Sequence, residues 1–254
     1  MSIRFSPRDM VVLTILAEMY GAPLELVAQM LGVSRSRAYR IVARWQAARM
    51  ISDNRVRPVP GSVWVYPTRS AAEALLGRSV RHWVPKPKMA AHTLAVLELR
   101  LALTGMDLDR WIPERQLRSE VGLLKAEQSR PHIHDGRYIT AAGDLWAVEV
   151  ELTAKSIAAA RTSVARALHV AEHVNCAGLT YYCRGEAVKN VIRAASAGLS
   201  KGPKLTLRDL DELLATKKAE SSTLAPRPGL RVIAGGAADH EITQVTDPSN
   251  GRAV

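Results

Sequence analysis

Between residues 24 and 43 the chain reads LELVAQMLGVSRSRAYRIVA, and this stretch restricts the fold more than any other. Ala28 is small where two crossing helices must touch, and Gly32 falls where a tight turn needs positive φ. Val27, Leu31, Val33, Ala38 and Ile41 supply apolar positions that lock a second helix across the first. Ser34 can cap that second helix, because its hydroxyl accepts from an otherwise unpaired backbone N–H. With the apolar side turned inward, Arg35, Arg37, Arg40 and Arg44 are left outside. The pattern is a helix-turn-helix.

Flanking residues extend it. Ser6–Pro7 is a helix start, and Val11, Val12, Ile15, Leu16 and Met19 mark an apolar face ending near Gly21. Pro23 opens the second helix, and the third runs over 34–50. Residues 55–59, a Pro60-Gly61-Ser62 turn and 63–66 then read as a β-hairpin. Three helices followed by a basic ribbon predict a winged helix, closed by a short helix over 70–76.

Charge supports a polyanionic partner. Residues 1–90 hold 14 Lys and Arg against 5 Asp and Glu; the remaining 164 hold 21 against 19. The excess is N-terminal, beside the helix-turn-helix, which points to double-stranded DNA. Arg37, Arg40 and Arg44 share one helical face, where Arg40 and Arg44 can equally reach phosphate. Arg35 and Ser36, near the helix N-terminus, are placed for base edges. Tyr39 is placed either towards DNA or against the core, and Arg55 and Arg57 lie on the wing for minor-groove or phosphate contact.

Residues 77–88 contain two prolines and five basic side chains, His82 among them, and read as a basic linker. Helix resumes over 89–104. Strands are then expected over 111–113, 132–140, 145–152 and 178–183, with helices over 156–173 and 185–197. Residues 206–214 read as a final strand or helix. The second domain, 89–216, is thus α/β, and 217–254 reads as a weakly ordered tail. Cys176 and Cys183 lack a metal-binding pattern and read as reduced core thiols. No apolar run reaches the roughly 18 residues of a membrane span, and no leader opens the chain, so a cytoplasmic protein is expected.

The second informative stretch spans 131–156, PHIHDGRYITAAGDLWAVEVELTAKS. Strand periodicity puts Glu149 and Glu151 on one face, opposite Val148, Val150 and Leu152, with Asp135 on the neighbouring strand. Carboxylates on an otherwise apolar strand are costly unless solvated, paired or bound to a cation. Asp135, Glu149 and Glu151 form a candidate Mg²⁺ or Mn²⁺ site that could activate water at a phosphodiester, with Lys155 assisting. His132 and His134 share a strand face near Asp135, where a His-x-His pair could ligate a metal but without other ligands reads more simply as solvated or hydrogen-bonded histidines; His92, His169 and His173 read as structural. Trp111 and Trp146 read as core or interface anchors rather than base-stacking platforms.

The Asp…Glu-x-Glu arrangement in strand–turn–strand–helix order resembles the PD-(D/E)xK nuclease fold. The layout as a whole resembles the replication-relaxation family of actinobacterial plasmids and mobile elements, over roughly residues 7–215. That likeness rests on the winged helix, on WVYPT at 64–68, on HTLAVLELRLAL at 92–103 and on EVELTAKS at 149–156. It implies an α+β or α/β protein with a winged helix over 1–76 and a restriction-endonuclease-like domain beyond the linker. It further implies regulation of replication or transcription on a plasmid, phage or other mobile element. Two departures weigh against cleavage: His134 stands where the motif has proline, and Glu151 where it has lysine, leaving Lys155 as a displaced substitute. The expected device is therefore a homodimeric DNA-binding regulator that requires no cofactor for DNA binding and touches no membrane. Its nuclease-like domain serves for dimerisation or extra DNA contact. The alternative is an endonuclease or nickase using Mg²⁺ or Mn²⁺. A third reading, a winged helix that binds protein, fits the N-terminal charge poorly.

Overall fold

The first helices form where the sequence punctuates them. α1 (Pro7–Glu18) starts with a capping box: Ser6 Oγ accepts from the Asp9 N–H (3.1 Å) while Asp9 Oδ2 accepts from the Ser6 N–H (2.8 Å). After β1 (Ala22–Pro23), α2 (Leu24–Leu31) ends on Gly32, whose φ of 61° is the left-handed conformation the turn required. α3 (Arg35–Ala47) is capped by Ser34 Oγ, which accepts from the Arg37 N–H. It stops short of the expected Met50 because Arg49 turns left-handed (φ 57°) and the Met50 N–H closes back onto the Trp45 carbonyl.

These elements belong to a computed structural model that describes residues 4–58, 61, 63–122, 131–199 and 202–224. Within them lie nine helices, a two-stranded sheet and a five-stranded mixed sheet, an α+β arrangement. The expected hairpin is met only in part, since residues 55–58 form no strand. β2 (Trp64–Val65) pairs antiparallel with β1, while the incoming arm touches the returning one only through the Val56–Trp64 and Ile51–Pro67 bridges. Of the expected turn, Pro60 and Ser62 lie outside the described residues, as does Val59. α4 (Arg69–Leu76), capped by Thr68, packs Ala72 against Ala17 of α1.

The segment read as a linker is packed down rather than solvated. Val80 is buried, and the Trp83 ring lies 5.4 Å from that of Tyr20 and 6.4 Å from that of Tyr66. Arg78 bonds the Ser119 hydroxyl, and the Arg115 guanidinium donates to the carbonyls of Ala17 (2.6 Å) and Arg81 (3.1 Å). Of the segment's basic residues, Arg78 is tied down, donating also to the Arg115 carbonyl (3.1 Å), while Arg81, His82, Lys86 and Lys88 remain exposed.

α5 (Pro87–Thr104) then runs through the middle of the molecule. Ala95, Val96, Leu97 and Leu99 join Val12, Leu16, Leu31 and Trp45 of the first helices, and Val148 and Val150 of the sheet, in one core. The sheet has strand order β3 (Trp111–Pro113), β4 (Gly136–Ile139), β5 (Leu145–Glu151), β6 (Gly178–Cys183) and β7 (Lys204–Asp209). The β3–β4 and β4–β5 pairs are antiparallel; β5–β6 and β6–β7 are parallel. Val148, Val150 and Tyr182 face the core around α5; Ala147, Leu179 and Tyr181 face α7 (Ile157–His173) and α8 (Glu186–Ser196). Glycine is obligatory at two strand positions, since a Cβ on Gly136 would sit 2.3 Å from the Trp111 ring and one on Gly178 2.4 Å from the Trp146 ring. Trp111 is accordingly a core plate, whereas Trp146 covers Gly178 while only partly buried. Cys176 and Cys183 are buried free thiols.

Besides β1, which the sequence reading did not place, two regions further along the chain depart from it. α6 (Glu114–Val121) offers only Leu117 and Val121 as apolar residues, too few for a periodic signal. Residues 206–214 are both strand and helix: β7 ends at Asp209, which caps α9 (Leu210–Leu224) by accepting from the Glu212 N–H. α9 also overturns the start of the expected tail, since it continues through residues 217–224; the rest of that tail lies outside the described residues. Among the described residues no helix is long and apolar enough to cross a membrane.

Candidate functional site

α3 buries Ala38, Val42 and Trp45 and leaves Arg35, Ser36, Arg37, Tyr39, Arg40 and Arg44 exposed. Tyr39, which the sequence left between two sides, is 45% exposed. The six do not share one condition. Arg35 pairs with Glu25 of α2 (3.2 Å), its guanidinium 5.9 Å from the Tyr39 ring centre. Arg44 bonds Asp9 (2.9 Å), so it fastens α3 to the capping box of α1. Arg37 and Arg40 have no carboxylate partner among the described residues, and neither have Arg55 and Arg57. Arg40, Arg55 and Arg57 border a groove of about 400 Å³ between α3 and the hairpin, with Val42 and Trp64 in its walls.

A second cluster is built at one end of β5. β4 begins only at Gly136, so no main-chain partner meets the Val150 N–H; Asp135 Oδ2 accepts from it instead (2.8 Å). Asp135 Oδ1 lies 3.0 Å from His92 Nε2, on α5. Glu149, 8% exposed, holds His132 Nε2 at 2.7 Å. Burial opposes protonation of His92 and His132, yet the bonds and charges of Asp135 and Glu149 outweigh it and raise both. Burial, reinforced by the Asp135 charge, also raises the Glu149 carboxyl despite its bond to His132. The cluster therefore retains protons that isolated side chains would release.

His134 differs. Its Nε2 lies 3.0 Å from the Ala167 carbonyl, which can only accept, so Nε2 carries the proton and Nδ1 accepts from Arg137 Nε (3.3 Å). Burial pulls this ring down to about 4, against the Ala167 bond. It is a neutral, fully partnered core histidine.

The structure unites Asp135 with Glu149 but does not gather Asp135, Glu149 and Glu151 into a metal-binding trio. Among the described residues, the one group of three His, Cys, Asp or Glu side chains with ligand atoms within 4.8 Å of each other is His132, His134 and Glu149. Glu151 instead pairs with Lys155, which takes both from the cluster's interior. His134 could join an ion only by surrendering the Arg137 or Ala167 bond. His92, read as structural from the sequence, proves to be the partner of Asp135; a separation of 43 positions leaves no local signal of that pairing. His92 and Asp135 open on a cavity of about 420 Å³ walled by Met19, Tyr20, Met89 and Val96.

Compared with known proteins, the chain matches no family model, no curated protein and no solved structure.

Proposed function

We propose that this chain is a double-stranded-DNA-binding protein of winged-helix type. α3 enters the major groove, and the hairpin brings Arg55 and Arg57 to the adjoining minor groove or phosphates. One observation carries the reading: Arg37 and Arg40 on the exposed face of α3, and Arg55 and Arg57 across the groove from Arg40, have no carboxylate partner among the described residues, while α3 buries Ala38, Val42 and Trp45 on its other face. Uncompensated arginines on a rigid helix are suited to polyanion contact. Arg35 and Ser36 stand at the end of α3 that reads base edges, and a guanidinium paired to guanine O6 and N7 adds roughly 1–3 kcal/mol of discrimination. Arg44 contributes by position, through Asp9.

The resemblance to the replication-relaxation family supplies the wider role: control of replication or transcription on a plasmid, phage or other mobile element, in the cytoplasm. The protein then acts as a homodimer on two half-sites about one helical turn apart. The sheet domain is a nuclease-like core that no longer cuts and supports dimerisation or additional DNA contact. The decisive measurement is affinity across a salt series for wild type and Arg37→Ala/Arg40→Ala. Losing two phosphate contacts makes the slope of log K against log salt shallower by about 1.8. An unchanged affinity and slope would overturn the reading.

A metal-dependent endonuclease or nickase is the second reading, favoured by the repulsion between Asp135 and Glu149 that helps raise the Glu149 carboxyl. The residues fit a Mg²⁺ or Mn²⁺ centre poorly. Asp135 oxygens are bonded to His92 and the Val150 N–H, Glu149 is bonded to His132, and Glu151 is bonded to Lys155. No catalytic step is assigned to these four residues. Plasmid nicking in Mg²⁺ or Mn²⁺ by wild type, absent with Glu149→Ala, would establish the enzyme. No nicking by either protein retires it.

A further inference from the structure

The start of α1 and the residues leading into it bring further arginines to the same side of the molecule as α3. Arg4 and Arg8, both exposed, join Arg37, Arg40 and Arg44 around an open groove of about 730 Å³ between the start of α1 and the outer face of α3. Asp9 is the one carboxylate in its lining; its side chain is 3% exposed and already bonded to Arg44 and the Ser6 N–H. Arg4, Arg8, Arg37 and Arg40 have no side-chain partner among the described residues. Arg8 also stands in the first turn of α1, where the helix dipole disfavours a cation. Four unpaired guanidinium groups around one groove, one of them placed against a helix dipole, make an arrangement that an anion would relieve.

We infer that this groove seats the phosphate backbone of one DNA strand, with Arg8 of α1 and Arg4 of the segment leading into it as phosphate contacts. The inference rests on the DNA-binding reading and extends its footprint to a helix that sequence reasoning left inside the scaffold. The groove is open and continuous with Arg37 and Arg40 of α3, which suits a polymer running past rather than an enclosed small anion. Phe5 and Ile41 give it an apolar lining on which the arginine stems can lie. Asp9 is a positioning residue: by holding Arg44 and the Ser6 cap together, it fixes the start of α1 against α3 and so sets the groove's width.

The test uses the full chain and a fluorescent duplex of roughly three helical turns and arbitrary sequence, titrated by anisotropy between about 50 and 200 mM salt. Arg4→Ala/Arg8→Ala is expected to weaken binding about tenfold and to flatten the salt slope by about 1.8, with Arg4→Lys/Arg8→Lys restoring most of both. Melting temperatures of the variants check that the fold is intact, and the lysine pair keeps the result decisive should the alanine pair unfold. If the alanine pair binds like wild type while Arg37→Ala/Arg40→Ala weakens binding, the α1 contact is wrong and the DNA-binding reading stands. If neither pair changes binding, both fall. A parallel melt in inorganic phosphate against chloride of equal ionic strength separates the sources of phosphate. A phosphate-specific gain abolished by Arg4→Ala/Arg8→Ala, with duplex binding untouched, would reassign the groove to a free anion and overturn the inference.

Discussion

Buried against α7, His134 donates from one ring nitrogen to Ala167 and accepts at the other from Arg137, a pairing that only the neutral ring can make. Its pKa falls from 6.5 to about 4 on folding, so between those values the unfolded chain binds more protons than the folded one. Stability from this residue is therefore complete above pH 6.5 and is lost as pH falls towards 4. The loss is at most about 3.4 kcal/mol, at 1.36 kcal/mol per pH unit. His92, His132 and Glu149 have the opposite sign: each holds its proton more tightly in the folded state, so their contribution falls as pH rises through the raised values. Urea unfolding of wild type and His134→Gln at several pH values separates the two. Glutamine can still donate to Ala167 but does not titrate, so the variant should lack the acid-side loss. A variant that loses stability between pH 6.5 and 4 as steeply as wild type would show that another group governs that window.

At the scale of elements, what was readable followed from how local the cause was. Ser6, Pro7, Gly32, Ser34 and Thr68 act within one helical turn, and the helices they bound were placed from sequence to within a few residues. β5 and β6 carried strong period-two or continuous apolar signals and were placed as well. β1 is two residues long and contains a proline, and it exists only because β2 supplies its hydrogen-bonding partner. α6 is largely polar and is held through Leu117 and Arg115, whose donors satisfy carbonyls of Ala17 and Arg81 far away in sequence. The site divides in the same way. The exposed face of α3 follows from helical period, whereas the Asp135–His92 and Arg44–Asp9 pairs depend on elements meeting from distant parts of the chain. The sharing of a strand face by Glu149 and Glu151 was equally readable, but their separation into different partners, His132 and Lys155, was not.

The whole molecule is held as one unit by α5, and this bears on how DNA contact would reach the sheet. Arg100 of α5 is fully buried and bonded to Glu18 of α1, while its Nε and second terminal nitrogen have no partner. Burial raises the Glu18 carboxyl and lowers Arg100 even against their mutual attraction, so the pair is more costly to bury than its bond returns. Breaking it is worse, because the surviving charge stays in the core: Glu18→Ala should destabilise by about 3–5 kcal/mol. Since the core is continuous from Val12 through Leu97 to Val148, the loss should appear in the entire protein. Calorimetry and tryptophan fluorescence should report a single transition for wild type, moved as a whole to lower temperature in Glu18→Ala. A fragment ending at Gly77 should fail to fold, because α5 would no longer cover Leu16, Leu31 and their neighbours. Two separable transitions, or a stable fragment, would mean that the first helices and the sheet are independent bodies. A single transition instead means that a load on α3 or on the groove beside α1 is borne by the same packing that sets β5, His92 and Asp135.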